Sequence, residues 1–307
     1  MIGKTLSLGV IAFVCFGLTS AVGDITYDDG LVHDVNVSVA GDIKVKDSIS
    51  SEATTLNLTT GGFIGNNLFS YNHSSISMSG GHIDQTFLAY HNSQIYVSGG
   101  VINNVLGIYG NSQADISGGT IGFEFRVFDT SKAVISDVWI GDSLRAEDSS
   151  EVIFSGGQID VHLEAIEDSK ITLDGGVIGN QLYARGNSRV DIFDGEIQNA
   201  LRAFDNSSVF IYGGTIANFI EAGNSSDDTS TITLAGSDFA VNGISVPYGE
   251  YDALDWTNGT LSGTLSNNDY LDVLFYIKGN SKIILIPEPA SFLLLAIGAM
   301  ILKRRYK

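Results

Sequence analysis

Residues 75–93 read SISMSGGHIDQTFLAYHNS, and residues 94–112 read QIYVSGGVINNVLGIYGNS. Laid over one another, the two segments put Ser-Gly-Gly on Ser-Gly-Gly, Ile83 on Ile102, Phe87 on Leu106 and Ser93 on Ser112. Outward from this pair the 19-residue spacing continues: Gly-Gly stands at 61/62, 80/81, 99/100, 118/119, 156/157, 175/176 and 213/214. The two missing places hold Asp137-Val138 and Asp194-Gly195, so the register passes through them without insertion. An isoleucine column runs Ile64, Ile83, Ile102, Ile121, Ile140, Ile159, Ile178, Ile197 and Ile216. A second apolar column runs Leu68, Phe87, Leu106, Phe125, Leu144, Leu163, Leu182, Leu201 and Ile220. A serine column runs from Ser74 in steps of 19 to Ser207 and Ser226.

Within each period, apolar residues alternate with polar ones in runs of three or four, bounded by Gly, Asn and Ser. That pattern means short strands joined by tight turns, three to a period. One period alone cannot bury its apolar face, whereas stacking like on like at about 4.8 Å builds a continuous core. The expected fold is therefore all-β: a single-stranded parallel β-helix of about nine coils over residues 61–226. Such a stack would form a rod roughly 40 Å long. The period of 19, in place of three hexapeptides, favours the right-handed form. The Gly pair suits a corner that requires positive φ, and Val138 cannot occupy such a position cheaply, so its corner must differ. Residues 24–60 and 227–286 lack the register and are expected to cap the two open ends. Helical repeats are excluded by the Gly frequency, and calcium-binding GGxGxD repeats are absent.

The chain is 307 residues long, 44% apolar, with a net charge of -19. Residues 24–289 hold 11 Lys and Arg against 35 Asp and Glu, a balance of -24. An acidic surface of this kind repels phosphate backbones, so no nucleic-acid partner is expected. The sole cysteine, Cys15, permits no internal disulfide. It lies within the apolar run from Leu6 to Leu18, which follows Lys4 and precedes the small residues Thr19, Ser20, Ala21 and Gly23. This order reads as a secretory signal over residues 1–23, cleaved near Ala21 or Gly23.

At the other end, Pro287-Glu288-Pro289 precedes an apolar run from Phe292 to Leu302 and the basic cluster Lys303, Arg304, Arg305 and Lys307. That run is short for a permanent span, and the basic cluster would hold the C-terminus on the cytoplasmic side. These features, over residues 287–307, resemble the PEP-CTERM sorting signal of exopolysaccharide-producing bacteria. The resemblance implies a sorting role for Pro287, Glu288, Pro289, Arg304 and Arg305, with 292–302 as a transient inner-membrane anchor. It further implies an exosortase as the partner during export and the envelope or extracellular space as the destination.

No phosphate-binding loop, HExxH, GxSxG or cysteine cluster occurs, so chemistry must be sought by stacking outward positions. The column Tyr71, Tyr90, Tyr109 and Phe128 reads either as a platform for sugar rings or as rings that stack on one another and stabilise neighbouring coils. The corner Asp129, Asp148, Glu167 and Asp168 reads either as a solvated acidic edge or as a weak calcium site, the only cofactor the chain suggests. Arg126, Arg145, Glu164, Tyr183, Arg202 and Glu221, with Lys132, Glu151 and Lys170, alternate in charge as surface ladders do. The adjacent pair Arg126 and Arg145 stands outside that explanation. Asn66, Asn104, Asn180, Asn199 and Asn218 read as a turn ladder, and His73 with His91 lack a third metal ligand.

The expectation from sequence is an exported, non-enzymatic envelope or matrix protein, structural or adhesive and associated with exopolysaccharide. The alternative is a polysaccharide lyase or hydrolase on the same scaffold. The insertion-free register argues against it, because such enzymes build their clefts from long inserted loops.

Overall fold

The computed structural model describes residues 23–47 and 52–288. The signal-like residues 1–22, Pro289, the apolar run 292–302 and the cluster with Arg304 and Arg305 lie outside the described residues. Among the described residues the chain is all-β with no helix, and its parallel coils stack into a β-solenoid of about 11 turns, about 19 residues apart.

The three strands of a coil are clearest at Lys132–Ile135, Val138–Ile140 and Leu144–Ala146. Each pairs in parallel with its counterpart 19 residues on: Ala133 with Val152, Ile140 with Ile159, Leu144 with Leu163. In five coils the first two strands run together as one nine-residue strand, for example Gln94–Ile102, with the ladder shifted at the Gly pair. Positive φ at the Gly pair falls mostly on the second Gly, as at Gly100 (96°), Gly119 (98°) and Gly157 (96°), whereas in the first pair it falls on Gly61 (92°) and in the pair 175/176 on both. Where Val138 replaces that glycine, the left-handed turn moves back one residue to Asp137 (φ 51°). A carboxamide or carboxylate side chain tolerates this conformation better than a β-branched one.

The isoleucine and leucine columns are buried throughout, at 8% exposure or less. Large and small residues compensate within a layer. Phe125 shares its coil with Ala114, and Phe154 with Ala165. The core thereby keeps close packing although its columns, the isoleucine one apart, are not uniform.

Two boundaries differ from the reading of the sequence. Residues 24–60 are not a separate cap: Ile25–Tyr27, Val32–Val35, Ser38–Val39, Ile43–Val45 and Thr55–Leu58 pair in parallel as further coils. Their steps vary (Ile25 to Ile43, Ile43 to Leu68, Val32 to Thr55), because loops of different length join the strands. At the other end, Ser226 leaves the serine column and is exposed, and Ser230 is buried in its place. Extra residues before Asp228 lengthen that corner, after which Thr231 resumes pairing with Ser208.

Beyond Thr231 the chain closes the stack with antiparallel strands. Asn258–Leu265 pairs with both Thr231–Val241 and Tyr270–Ile277, and Gly249–Asp252 lies along Lys282–Ile286. Pro287 and Glu288 follow the last strand directly and are exposed.

Candidate functional site

The outward columns converge on the third corner of each coil and on the outer face of the third strand. At this corner the backbone turns left-handed in coil after coil: Asn72 (63°), His91 (67°), Gly110 (73°), Asp129 (58°), Asp148 (57°), Glu167 (61°), Gly186 (69°) and Asp205 (61°). Two residues further on stands a buried serine. In several coils its hydroxyl donates to a backbone carbonyl, whereas Ser169 accepts from the Ile166 amide at 2.9 Å and the Ser150 and Ser188 hydroxyls have no partner among the described residues. Ser93 reaches Tyr90 O at 2.8 Å, Ser112 reaches Tyr109 O at 2.7 Å and Ser207 reaches Ala184 O at 3.0 Å. A buried hydroxyl without such an acceptor would cost about 1–3 kcal/mol, which favours Ser where the corner presents a carbonyl.

The acidic corner now has a structural account. The N–H of Gly110 donates to Asp129 Oδ2 (2.8 Å), that of Asp129 to Asp148 Oδ2 (3.0 Å) and that of Gly186 to Asp205 Oδ2 (2.9 Å). Each carboxylate thus satisfies a turn amide one coil below, which is why an acid is useful at a left-handed position. Asp168 Oδ1 accepts from Asn187 Nδ2 (3.0 Å), and Asn206 Nδ2 donates to Asn187 Oδ1 (3.0 Å). Glu167 keeps the left-handed turn without a hydrogen bond of this kind. Among the described residues, no group of three or more His, Cys, Asp or Glu side chains is arranged to hold a metal ion. His73 and His91 face different partners, Asp47 (3.5 Å) and the Asn72 amide (3.3 Å).

Tyr71, Tyr90, Tyr109 and Phe128 form a continuous stack, with centroids 5.4, 5.1 and 5.1 Å apart and planes within 17°. The ring faces that a sugar would need are therefore turned toward one another. The end ring, Tyr71, is flanked by Phe69 and by Lys46 Nζ at 5.6 Å. Burial raises the hydroxyl pKa of all three tyrosines above the usual phenolic value, partly offset at Tyr109 by Arg126. Gly107 makes room for the stack, since a β-carbon there would come within 2.8 Å of the Tyr109 ring.

Next to the stack lies the densest charge cluster. Glu124, 5% exposed, accepts from Arg126 Nε at 2.6 Å and lies 3.7 Å from Arg145 Nε. Arg145 also meets Glu164 (3.0 Å) and Glu147 (3.5 Å). The unexplained arginine pair is thus clasped by a carboxylate from the preceding corner, a residue that sequence reasoning missed because it recurs in no other coil. Its hydrogen bond with Glu124 raises the pKa of Arg126. Burial pushes the Glu147 carboxyl above its ordinary value against the pull of Arg145, helped by Glu167 and Asp148. Further along, Glu221 pairs with Lys278 (2.6 Å) and Arg202 (3.5 Å), and Arg202 lies over the Phe219 ring at 5.0 Å. On the first strand, Lys132 and Lys170 flank Glu151 at 2.7 and 3.9 Å. The asparagine ladder is realised at Asn180, Asn199 and Asn218, with amide bonds of 2.8 and 3.2 Å.

No family model, curated protein or solved structure matches the chain. Among the described residues, no helix is long and apolar enough to cross a membrane. What the geometry offers is a rod whose acids, arginines and aromatic rings bond mainly to their counterparts on adjoining coils.

Proposed function

We propose that the chain is an exported, non-enzymatic envelope or matrix protein, sorted through its PEP-CTERM-like tail, whose solenoid serves as a stiff, exopolysaccharide-associated spacer. The observation that carries the body's role is the mutual occupation of its outward columns. Carboxylates cap turn amides, arginines sit between glutamates and rings stack on rings. A surface so used supports rigidity better than turnover, because a general acid or base has to be available to substrate. The sorting half rests on Pro287, Glu288, Pro289 and the basic end.

Expression of the full chain in an exosortase-bearing host tests both halves. The expected outcome is a surface or medium form that has lost mass at its C-terminus. A variant with Ala at 287–289 should keep its full mass and stay with the membrane fraction. Normal release of that variant would overturn the sorting reading. Cleavage of any polysaccharide by the purified protein, abolished by Glu164→Gln in the charge cluster, would overturn the non-enzymatic one.

A further inference from the structure

One exposed aromatic surface without a ring partner lies away from the tyrosine stack, on the second strand of the coil whose corner departs from Gly-Gly. Trp139 is 40% exposed. Its register partners on the coils below and above are Thr120 and Gln158, which have no ring to lay against it. The other tryptophan, Trp256, is by contrast stacked on Tyr251 at 3.7 Å and set edge-on to Phe275.

The indole is held in place. Its Nε1 donates to Asp160 Oδ1 at 3.0 Å, and the same oxygen accepts from Gln158 Nε2 at 2.7 Å. The far edge of the ring lies over Gly141, where a β-carbon would come within 3.0 Å of Cη2. Any larger residue at 141 would also meet the backbone oxygen of Gly122 at 2.4 Å, so the space under the ring is kept by the fold itself. The strand that carries Trp139 follows the altered Asp137-Val138 corner, the one place where the second glycine becomes a β-branched residue.

From this geometry we infer that Trp139, framed by Thr120, Gln158 and Asp160, is a binding site for one pyranose ring of a neutral polysaccharide. The C–H face of a pyranose is apolar and its rim carries hydroxyls, so it matches one immobilised aromatic face bordered by amide, carboxylate and hydroxyl groups. A protein partner would call for an apolar surround at such an anchor, whereas both register neighbours are polar. A polyanionic glycan is disfavoured by Asp160 and by the balance of -24 over residues 24–289. This site deepens the exopolysaccharide-associated reading and rests on it.

The test uses the full chain carrying Trp256→Phe, which leaves Trp139 as the only indole. Titration with a neutral β-1,4-linked glucose hexaose is expected to change the Trp139 emission saturably, with alginate giving no change at the same concentration. In the wild-type background, retention on whole exopolysaccharide from a producing culture is then compared with that of Trp139→Ala, with thermal unfolding of both confirming that the variant is folded at the temperature of the assay. At least a tenfold loss of retention is expected for Trp139→Ala and a smaller loss for Trp139→Phe. If the wild type is retained and Trp139→Ala is retained equally, the site is overturned while the exopolysaccharide reading stands. If the wild type is not retained and does not respond to the hexaose, both fall. Saturation by alginate in place of the hexaose would overturn the neutral-sugar assignment.

Discussion

At the C-terminal end of the rod, antiparallel strands fold back along the last coils. At the N-terminal end, Ile25–Tyr27, Val32–Val35 and Ser38–Val39 have a strand partner on one side only among the described residues. Inward positions at this open layer are filled by Ile25, Tyr27, His33 and Val35, in register with the buried Ile43, Val45, Leu56 and Leu58. Tyr27 and His33 stack at 3.9 Å, and His33 Nε2 bonds to Asp29 Oδ1 at 2.9 Å. One end is thus closed by backbone pairing and the other by a plate of two rings. The N-terminal plate shields core atoms but, among the described residues, leaves the outer backbone groups of these strands without a strand partner. Asp24, Asp28, Asp29 and Asp34 give that edge a negative charge, which discourages further strand addition.

The contrast can be broken by truncating one apolar side chain at each end. Phe275 is buried in the C-terminal closure, in register with Ile220 and edge-on to Trp256. Phe275→Ala should cost about 3–5 kcal/mol in urea unfolding, whereas Ile25→Ala at the half-buried N-terminal layer should cost roughly 1 kcal/mol. Equal losses would mean that the N-terminal layer is as tightly closed as the other end.

A smaller effect is expected at the lengthened corner before the closure. Burial alone would raise the Asp228 carboxyl, but hydrogen bonds from Ser225 (2.6 Å) and the Asn224 amide (2.7 Å) carry it below its ordinary 3.8. Asp228→Asn should lower stability by about 1–2 kcal/mol at neutral pH. An unchanged unfolding midpoint would remove this corner from the closure.

Acid gives the smallest and most discriminating effect. The hydrogen bond from His33 lowers the Asp29 carboxyl from 3.8, as those from Ser225 and Asn224 lower Asp228. A carboxyl depressed in the folded chain contributes stability above the unfolded pKa, and that contribution is lost as pH falls through the folded value. Both ends should therefore loosen below about pH 4. Asp29 is solvent-exposed, so its share is small and screened by salt. Hydrogen exchange should show the N-terminal layer opening first, and Asp29→Asn should flatten the acid response at that end alone. An N-terminal response that persists in this variant would assign it elsewhere.

What was legible in the sequence follows from what stacking demands. A buried position repeats because every coil offers it the same neighbours, so Ile140 and Leu144 announce themselves, and so does a glycine that must turn left-handed. The third corner was less visible because its left-handed residue varies among Asn, His, Gly, Asp and Glu. Only the direction of the hydrogen bond, from one coil's amide to the next coil's side chain, is common to several of them. Glu124 escaped notice because a clasp for one arginine pair need occur only once. The N-terminal coils were hidden by loops of unequal length, and Ser230 by the insertion that displaced Ser226. Trp139 does not announce itself in the sequence, since the room left by Gly141 and the anchor at Asp160 lie at other positions of the period.

The coil-to-coil hydrogen bonds also set how the rod would carry load. The strands run across the long axis, so tension along it meets the ladders one coil at a time instead of shearing many together. The aromatic stack from Tyr71 to Phe128 and the carboxylate-capped corners span some of these seams and add resistance there. A coil that detaches lengthens the chain by roughly 60 Å, at about 3.3 Å per residue over its 19 residues. Pulled between a surface and a polymer, the molecule would extend stepwise from its less paired N-terminal end, dissipating work with each coil released.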